Sequence, residues 1–145
     1  MTLDRSYIER NRASTKRMRT LVEGLSDAEF AKRVGEHWTV AISLVHIAFW
    51  ERRLLRVLDE TESAGKLAAK TIDISVNDLS LPFWAAVPVR EAARLVIESA
   101  EAVDLRLESF PPALLEEVYK GNERWVQRDL HRNEHLDEVD KALMG

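Results

Sequence analysis

An all-α fold follows from three features of the sequence. Apolar residues recur at helical spacing in four long segments, no stretch sustains the alternation of a half-buried strand, and glycine and proline are scarce. At 145 residues the chain matches one ordinary domain, long enough to bury a core and too short for two. A single domain over residues 1–145 is therefore expected. With 46% of residues apolar and 32% charged, the composition is that of a soluble, helix-rich globular protein rather than a disordered one.

The first segment, residues 3–25, places Tyr7, Ile8, Met18, Leu21 and Val22 on its apolar stripe, and Gly24 weakens the helix near its end. Ser26 and Glu29 are spaced as in a capping box and open a short helical turn before the connection Gly35-Glu36-His37. The second segment, residues 40–60, is the most hydrophobic piece of the chain and starts behind Thr39, a good N-cap, which predicts the central helix. From residue 65 to 88 the periodicity fades. Asn77, Asp78, Ser80 and Pro82 are turn formers, so an ordered loop is expected there, with Leu81, Phe83 and Trp84 packing over one end of the molecule.

Pro88 suits the first turn of a third helix reaching Ser109, and Pro111-Pro112 ends it, because proline removes a donor and restricts the residue before it. A fourth helix fits residues 123–143. Four long helices with a long loop between the second and third predict a four-helix bundle.

The net charge of −4, with both signs interspersed, offers no sustained basic surface to a phosphate backbone, so nucleic acid is not the expected partner. The chain has no cysteine, which excludes disulfides, thiolate metal sites and a cysteine nucleophile; any thiol chemistry needs an external thiol. The start MTLDRSYIERNR lacks the apolar run of a signal peptide, and no apolar stretch approaches the length needed to cross a bilayer. The expectation is a cytoplasmic protein without a membrane partner.

Of the four histidines, three are placed suggestively. His131 and His135 stand four apart on the fourth helix, so both rings share one face, where they can chelate one ion. They lie at the margin of the stripe formed by Trp125, Leu136, Val139 and Leu143. His46 sits mid-helix in the apolar run AISLVHIAFWERRLL, where a polar ring needs a partner. If the second and fourth helices face each other, His46 can supply a third nitrogen, giving a site with open coordination positions. Spacing alone leaves the other reading open: His-x-x-x-His pairs occur by chance on exposed helices, and a lone histidine in an apolar stripe is ordinarily a hydrogen-bonded core residue. His37 reads as an exposed loop residue or one packed beside Trp38.

Arg53, Arg128 and Gln127 fall near the histidines on helical projection and could orient an anionic substrate, but solvation or pairing with the many nearby carboxylates is the favoured reading for the arginines, and none is counted in the core site. Glu134 and Glu138 are candidates to accept a ligand histidine's second N–H, but on a helix this acidic plain surface charge is the favoured reading. Glu51 projects well away from His46 and is expected to be a surface or helix-end charge. The residues identify no general acid or base.

Trp38-Thr39-Val40, His46 followed by Trp50-Glu51, and His131-Arg132-Asn133-Glu134-His135-Leu136 together resemble the DinB/YfiT-like superfamily. In that group a tryptophan followed by Ser or Thr opens the second helix, a histidine follows about two turns later, and a His-x-x-x-His pair lies on the last helix. The likeness spans nearly the whole chain. It implies an up-down-down-up bundle that binds a divalent ion, often nickel or zinc, through His46, His131 and His135, commonly as a homodimer. Known activities of the group are thiol-dependent transfer and isomerisation, with mycothiol, bacillithiol or glutathione, and some hydrolysis. The implied function is a metal-dependent enzyme directing water or a small thiol at a small electrophile. The alternatives are a bundle that binds metal or a small ligand without turnover, and an interaction module whose histidines bind nothing.

Overall fold

The computed structural model describes residues 3–68 and 72–145. Most of them are helical, in the order α1 (Tyr7–Gly24), α2 (Asp27–Phe30), α3 (Val40–Ala64), α4 (Ser75–Ala85), α5 (Val89–Ser109), α6 (Pro112–Gly121) and α7 (Arg128–Met144). A miniature antiparallel ladder, β1 (Arg33–Val34) with β2 (Trp38–Thr39), lies between α2 and α3. The all-α class stands. No helix among the described residues is long and apolar enough to cross a membrane.

Local chemistry accounts for several of the boundaries. Ser26 and Glu29 form the expected capping box, each side chain accepting from the other's backbone N–H. Gly35 takes a left-handed φ of 69°, which turns the chain between β1 and β2 and delivers Trp38 beside the start of α3. Thr39 caps α3 by accepting from the Ile42 N–H at 3.2 Å, and Gly65, with φ of 71°, ends it.

Three expectations need correction. The segment 65–88 is not simply a loop: α4 occupies Ser75–Ala85, with Asn77, Asp78, Ser80 and Pro82 inside it. Asp73 accepts from the Ser75 N–H and hydroxyl at 3.0 and 2.6 Å and so opens the helix, while Asn77 accepts from Trp50 Nε1 at 2.9 Å, a tertiary bond that outweighs its turn preference. Residues 69–71 of the expected loop, like residues 1–2 of the start, lie outside the described residues. Trp84 is buried as expected, but Phe83 is 76% exposed.

The proline pair does end α5, yet Pro112 then serves as the first residue of α6, whose missing N–H would be unpaired there in any case. The fourth long helix starts later than expected. Asn122 accepts from the Arg124 N–H at 3.0 Å and sets a single 3₁₀ turn, Glu123–Trp125, ahead of α7.

Packing of the four long helices can be followed through paired side chains. Along α3 and α5, Arg52 meets Ser99 and Asp59 meets Arg106, so the two run in the same direction. Helix α1 opposes α5, since Tyr7 reaches Leu107 while Thr15 reaches Asp104. It runs with α7, through Asn11 to Asp129 and Arg17 to Asp137. Helix α3 opposes α7, through His46 to His131 and Glu51 to Arg128.

The buried apolar residues form two clusters rather than one. The first gathers Met18, Ile47, Val96, Ala100 and Leu136; the second gathers Tyr7, Leu54, Val103, Leu107 and Trp125. On each long helix the changeover between clusters is polar and buried: Asn11, Ser14 and Thr15 on α1, Glu51 on α3, Asp104 on α5, Arg128 and Arg132 on α7. An ionic layer thus crosses the core.

Candidate metal centre

His46 projects from the second turn of α3 toward the first turns of α7, where the four-residue spacing puts His131 and His135 on the same side. One ligand nitrogen from each of the three lies within 4.8 Å of the other two, a group that could hold a metal ion. The Nε2 atoms of His46 and His131 are 3.2 Å apart. Ring centroids are separated by 5.1 Å for His46 and His131, 4.5 Å for His46 and His135, and 4.8 Å for His131 and His135. Trp38 closes one side, its ring 4.7 Å from His46 and 5.8 Å from His135, and the Trp84 edge closes another at 5.3 Å from His46.

The cluster opens onto a cavity of about 330 Å³ walled by Trp38, Trp50 and Trp125, with Asn77, Arg124 and Glu134 among its polar lining. Trp50 and Asn77 are joined by their hydrogen bond, so α4 supplies part of the wall. Arg124 and Glu134 pair with each other at 2.6 Å.

Burial, above all, drives the three rings toward the neutral form. It pushes His46 down to about 3, with further depression from His135 and Arg128. His131 is lowered by burial and then by the adjacent Arg128 guanidinium, and His135 is lowered by burial against the opposing pull of Glu138 and Glu134. Neutral imidazoles are the state that binds a cation. Two of their atoms are left without partners: His46 Nδ1 and His135 Nδ1 are buried and unbonded, the nearest carboxylate to the latter being Glu138 at 4.0 Å.

Directly behind the histidines lies the ionic layer. Glu51 is fully buried and accepts from Arg128 Nε and Nη2 at 3.1 and 2.9 Å and from Arg132 Nε and Nη2 at 3.1 and 3.0 Å. Burial opposes its ionisation, but the two guanidinium groups outweigh that and hold it below the usual carboxylate range. Arg132 also donates through Nη1 to Asn11 O, Ser14 Oγ and Thr15 Oγ1 and contacts Asp104 at 3.0 Å. Asp104, raised by its burial, accepts in turn from the Thr15 hydroxyl at 2.5 Å. The layer meets the cluster at one contact, Arg128 Nη2 to His131 Nδ1 at 3.2 Å.

All three predicted histidines are therefore brought together, and His37 lies apart, exposed beside Glu36. Arg128 adjoins the cluster but is bound to Glu51, Gln127 is turned to the Tyr119 hydroxyl at 3.4 Å, and Arg53 lines a separate cavity with Phe49 and Asp73. Glu51 is a correction. Its direction, away from His46, is as projected, but His46 stands at the margin of the buried arc, so pointing away from it means pointing into the core. Sequence reasoning missed Arg132 and Asp104 altogether. The available signal was the seam Leu44, Ile47, Glu51, Leu54, Leu58, in which a carboxylate occupies a core step at 3–4 spacing. Arg132 fills the matching step between Trp125 and Leu136.

A family model described as the DinB superfamily matches residues 10–132, most of the chain and the whole span from α1 into α7. No curated protein and no solved structure matches the chain.

Proposed function

Since the chain belongs to the DinB superfamily, we propose that it binds one divalent ion, nickel or zinc, through His46, His131 and His135 and is a metal-dependent enzyme acting on a small electrophilic substrate. The observation that carries this reading is the convergence of three neutral imidazoles beside an open cavity. The 3.2 Å between His46 Nε2 and His131 Nε2 is close to the edge of about 3.3 Å that two nitrogens make around a tetrahedral ion with ordinary Zn–N bonds. With only three protein ligands, coordination positions stay open toward the cavity.

Such an ion supplies Lewis acidity, making a nucleophile at neutral pH from water or from an external low-molecular-weight thiol. The chain's own residues do the rest. Trp38, Trp50 and Trp125 form apolar walls that exclude water around a small substrate, while Asn77 and the Arg124–Glu134 pair offer polar contacts at the rim. Thiol transfer and hydrolysis both fit this cavity. One observation favours the second reading, a metal- or ligand-binding bundle used in sensing or sequestration: Glu51 is locked between two arginines and Glu134 is tied to Arg124, so neither is free to carry protons.

The same reading includes a single up-down-down-up four-helix bundle over residues 1–145, supported by the directions in which α1, α3, α5 and α7 pair. It includes a cytoplasmic location, small molecules rather than nucleic acid as partners, and a homodimer. Leu79 and Phe83, one turn apart on the outer face of α4 and both largely exposed, support the dimer.

The test is metal content by elemental mass spectrometry on tag-free protein, for wild type, His46→Ala and the His131→Ala/His135→Ala double variant. Near-stoichiometric metal in wild type alone supports the three-histidine centre and justifies assays of thiol consumption and ester or amide hydrolysis. Absence of metal after reconstitution with zinc and nickel would defeat it. Metal retention without turnover in those assays would select the non-catalytic reading.

A further inference from the structure

Arg128 is an unusual neighbour for a candidate ligand. Histidines that bind metals ordinarily donate their second N–H to a carboxylate or carbonyl, which leaves the other nitrogen's lone pair for the ion. Here the second nitrogen of His131, Nδ1, faces Arg128 Nη2 at 3.2 Å. A guanidinium carries donors only. Across that contact His131 Nδ1 must therefore accept, and the single proton of the neutral ring sits on Nε2, the nitrogen directed at His46 Nε2.

Nor is the arginine loosely placed. Its Nε and Nη2 donate to Glu51 Oε1 at 3.1 and 2.9 Å, its Nη1 donates to the Arg124 carbonyl at 3.0 Å, and its side chain is 4% exposed. Glu51 is held in turn by Arg132. The brace on His131 thus reaches back into the ionic layer.

Resting on the proposed metal site, we infer that Arg128, braced by Glu51, competes with the metal ion for His131. The arginine keeps the ring's proton on the metal-facing Nε2. Loading an ion there moves that proton to Nδ1, leaves the ring's charge unchanged and breaks the Arg128 contact, since two donors would then face each other. Arg128 is a positioning residue that sets the tautomer of His131 and lowers the affinity of the site, and Glu51 acts through it.

Two measurements test this. Long-range ¹⁵N–¹H NMR of the metal-free wild-type protein should show His131 protonated on Nε2, switching to Nδ1 when zinc is added; a metal-free His131 protonated on Nδ1 overturns the inference. Competition titrations should show that Arg128→Met binds zinc about tenfold more tightly than wild type, the scale on which neighbours of metal ligands act. Arg124→Met, which removes a nearby cation without touching His131, should bind zinc with less than threefold change. Equal affinity of Arg128→Met and wild type, or equal tightening in Arg124→Met, overturns the competition while leaving the metal site standing. Zinc bound by neither wild type nor Arg128→Met defeats the metal reading and the competition with it. If Arg128→Met does not fold, the NMR measurement on the wild type decides alone.

Discussion

The histidine cluster and the ionic layer are neighbours, drawn in part from the same two helices, and both bury polar groups in an apolar core, yet they differ in completeness. In the layer, Glu51 accepts from both arginines and Arg132 is surrounded by acceptors on α1, α3 and α5. In the cluster, rings face rings, and two buried ring nitrogens bond to nothing. Buried polar groups without partners are costly and uncommon. The layer's charges are paired within the chain, whereas the cluster leaves the Nδ1 atoms of His46 and His135 without a hydrogen-bond partner.

Four measurements can break or sharpen that contrast. The largest effect is expected from Glu51→Leu, which strands Arg128 and loosens Arg132; urea unfolding should show a loss of about 3–5 kcal/mol. In metal-free protein His46→Leu should cost far less, because it removes a ring whose Nδ1 has no partner. Equal losses would mean that the cluster is as structural as the layer.

Next is the effect of zinc on thermal unfolding. At about a hundredfold excess over the dissociation constant, zinc should stabilise wild type by about 2.7 kcal/mol and leave the His131→Ala/His135→Ala variant unmoved.

Protonation gives a third, smaller effect. Burial first, then His135 and Arg128, hold His46 down to about 3 from an ordinary 6.5, so the unfolded chain takes up a proton that the folded one refuses. The stability tied to the neutral ring is complete above pH 6.5 and is lost as the pH falls toward 3. Between pH 7 and pH 5, metal-free wild type should lose roughly 2 kcal/mol more than His46→Gln. The smallest effect belongs to the cavity wall. Asn77→Ala removes the Trp50 bond and should cost about 1 kcal/mol in unfolding, with faster amide exchange confined to α4.

Helix-forming segments and caps were legible in the sequence because they depend on neighbours a few residues apart: the Ser26/Glu29 box, Thr39 before α3 and the break at Pro111-Pro112 all stand where local chemistry puts them. The three histidines were legible for a related reason, since two share a helix face and the third interrupts an apolar run. What stayed hidden was long-range. Asn77 and Pro82 read as turn formers, and only the bond from Trp50 and the packing of Trp84 show why a helix forms through them. Glu51 read as a surface charge because its compensation lies about eighty residues away, in Arg128 and Arg132. A charge at a seam position on one helix is ambiguous; complementary charges at matching seam positions on three helices are a pattern, visible only when the helices are aligned against each other.

Trp38 has one further use. Its indole lies against both His46 and His135, and excited-state quenching by a nearby metal or a protonated imidazole weakens steeply with distance. The protein therefore carries its own optical probe of the histidine cluster. A drop in tryptophan emission on adding nickel, smaller in Trp38→Phe because Trp84 also lies 5.3 Å from His46, would follow loading in real time and without a label.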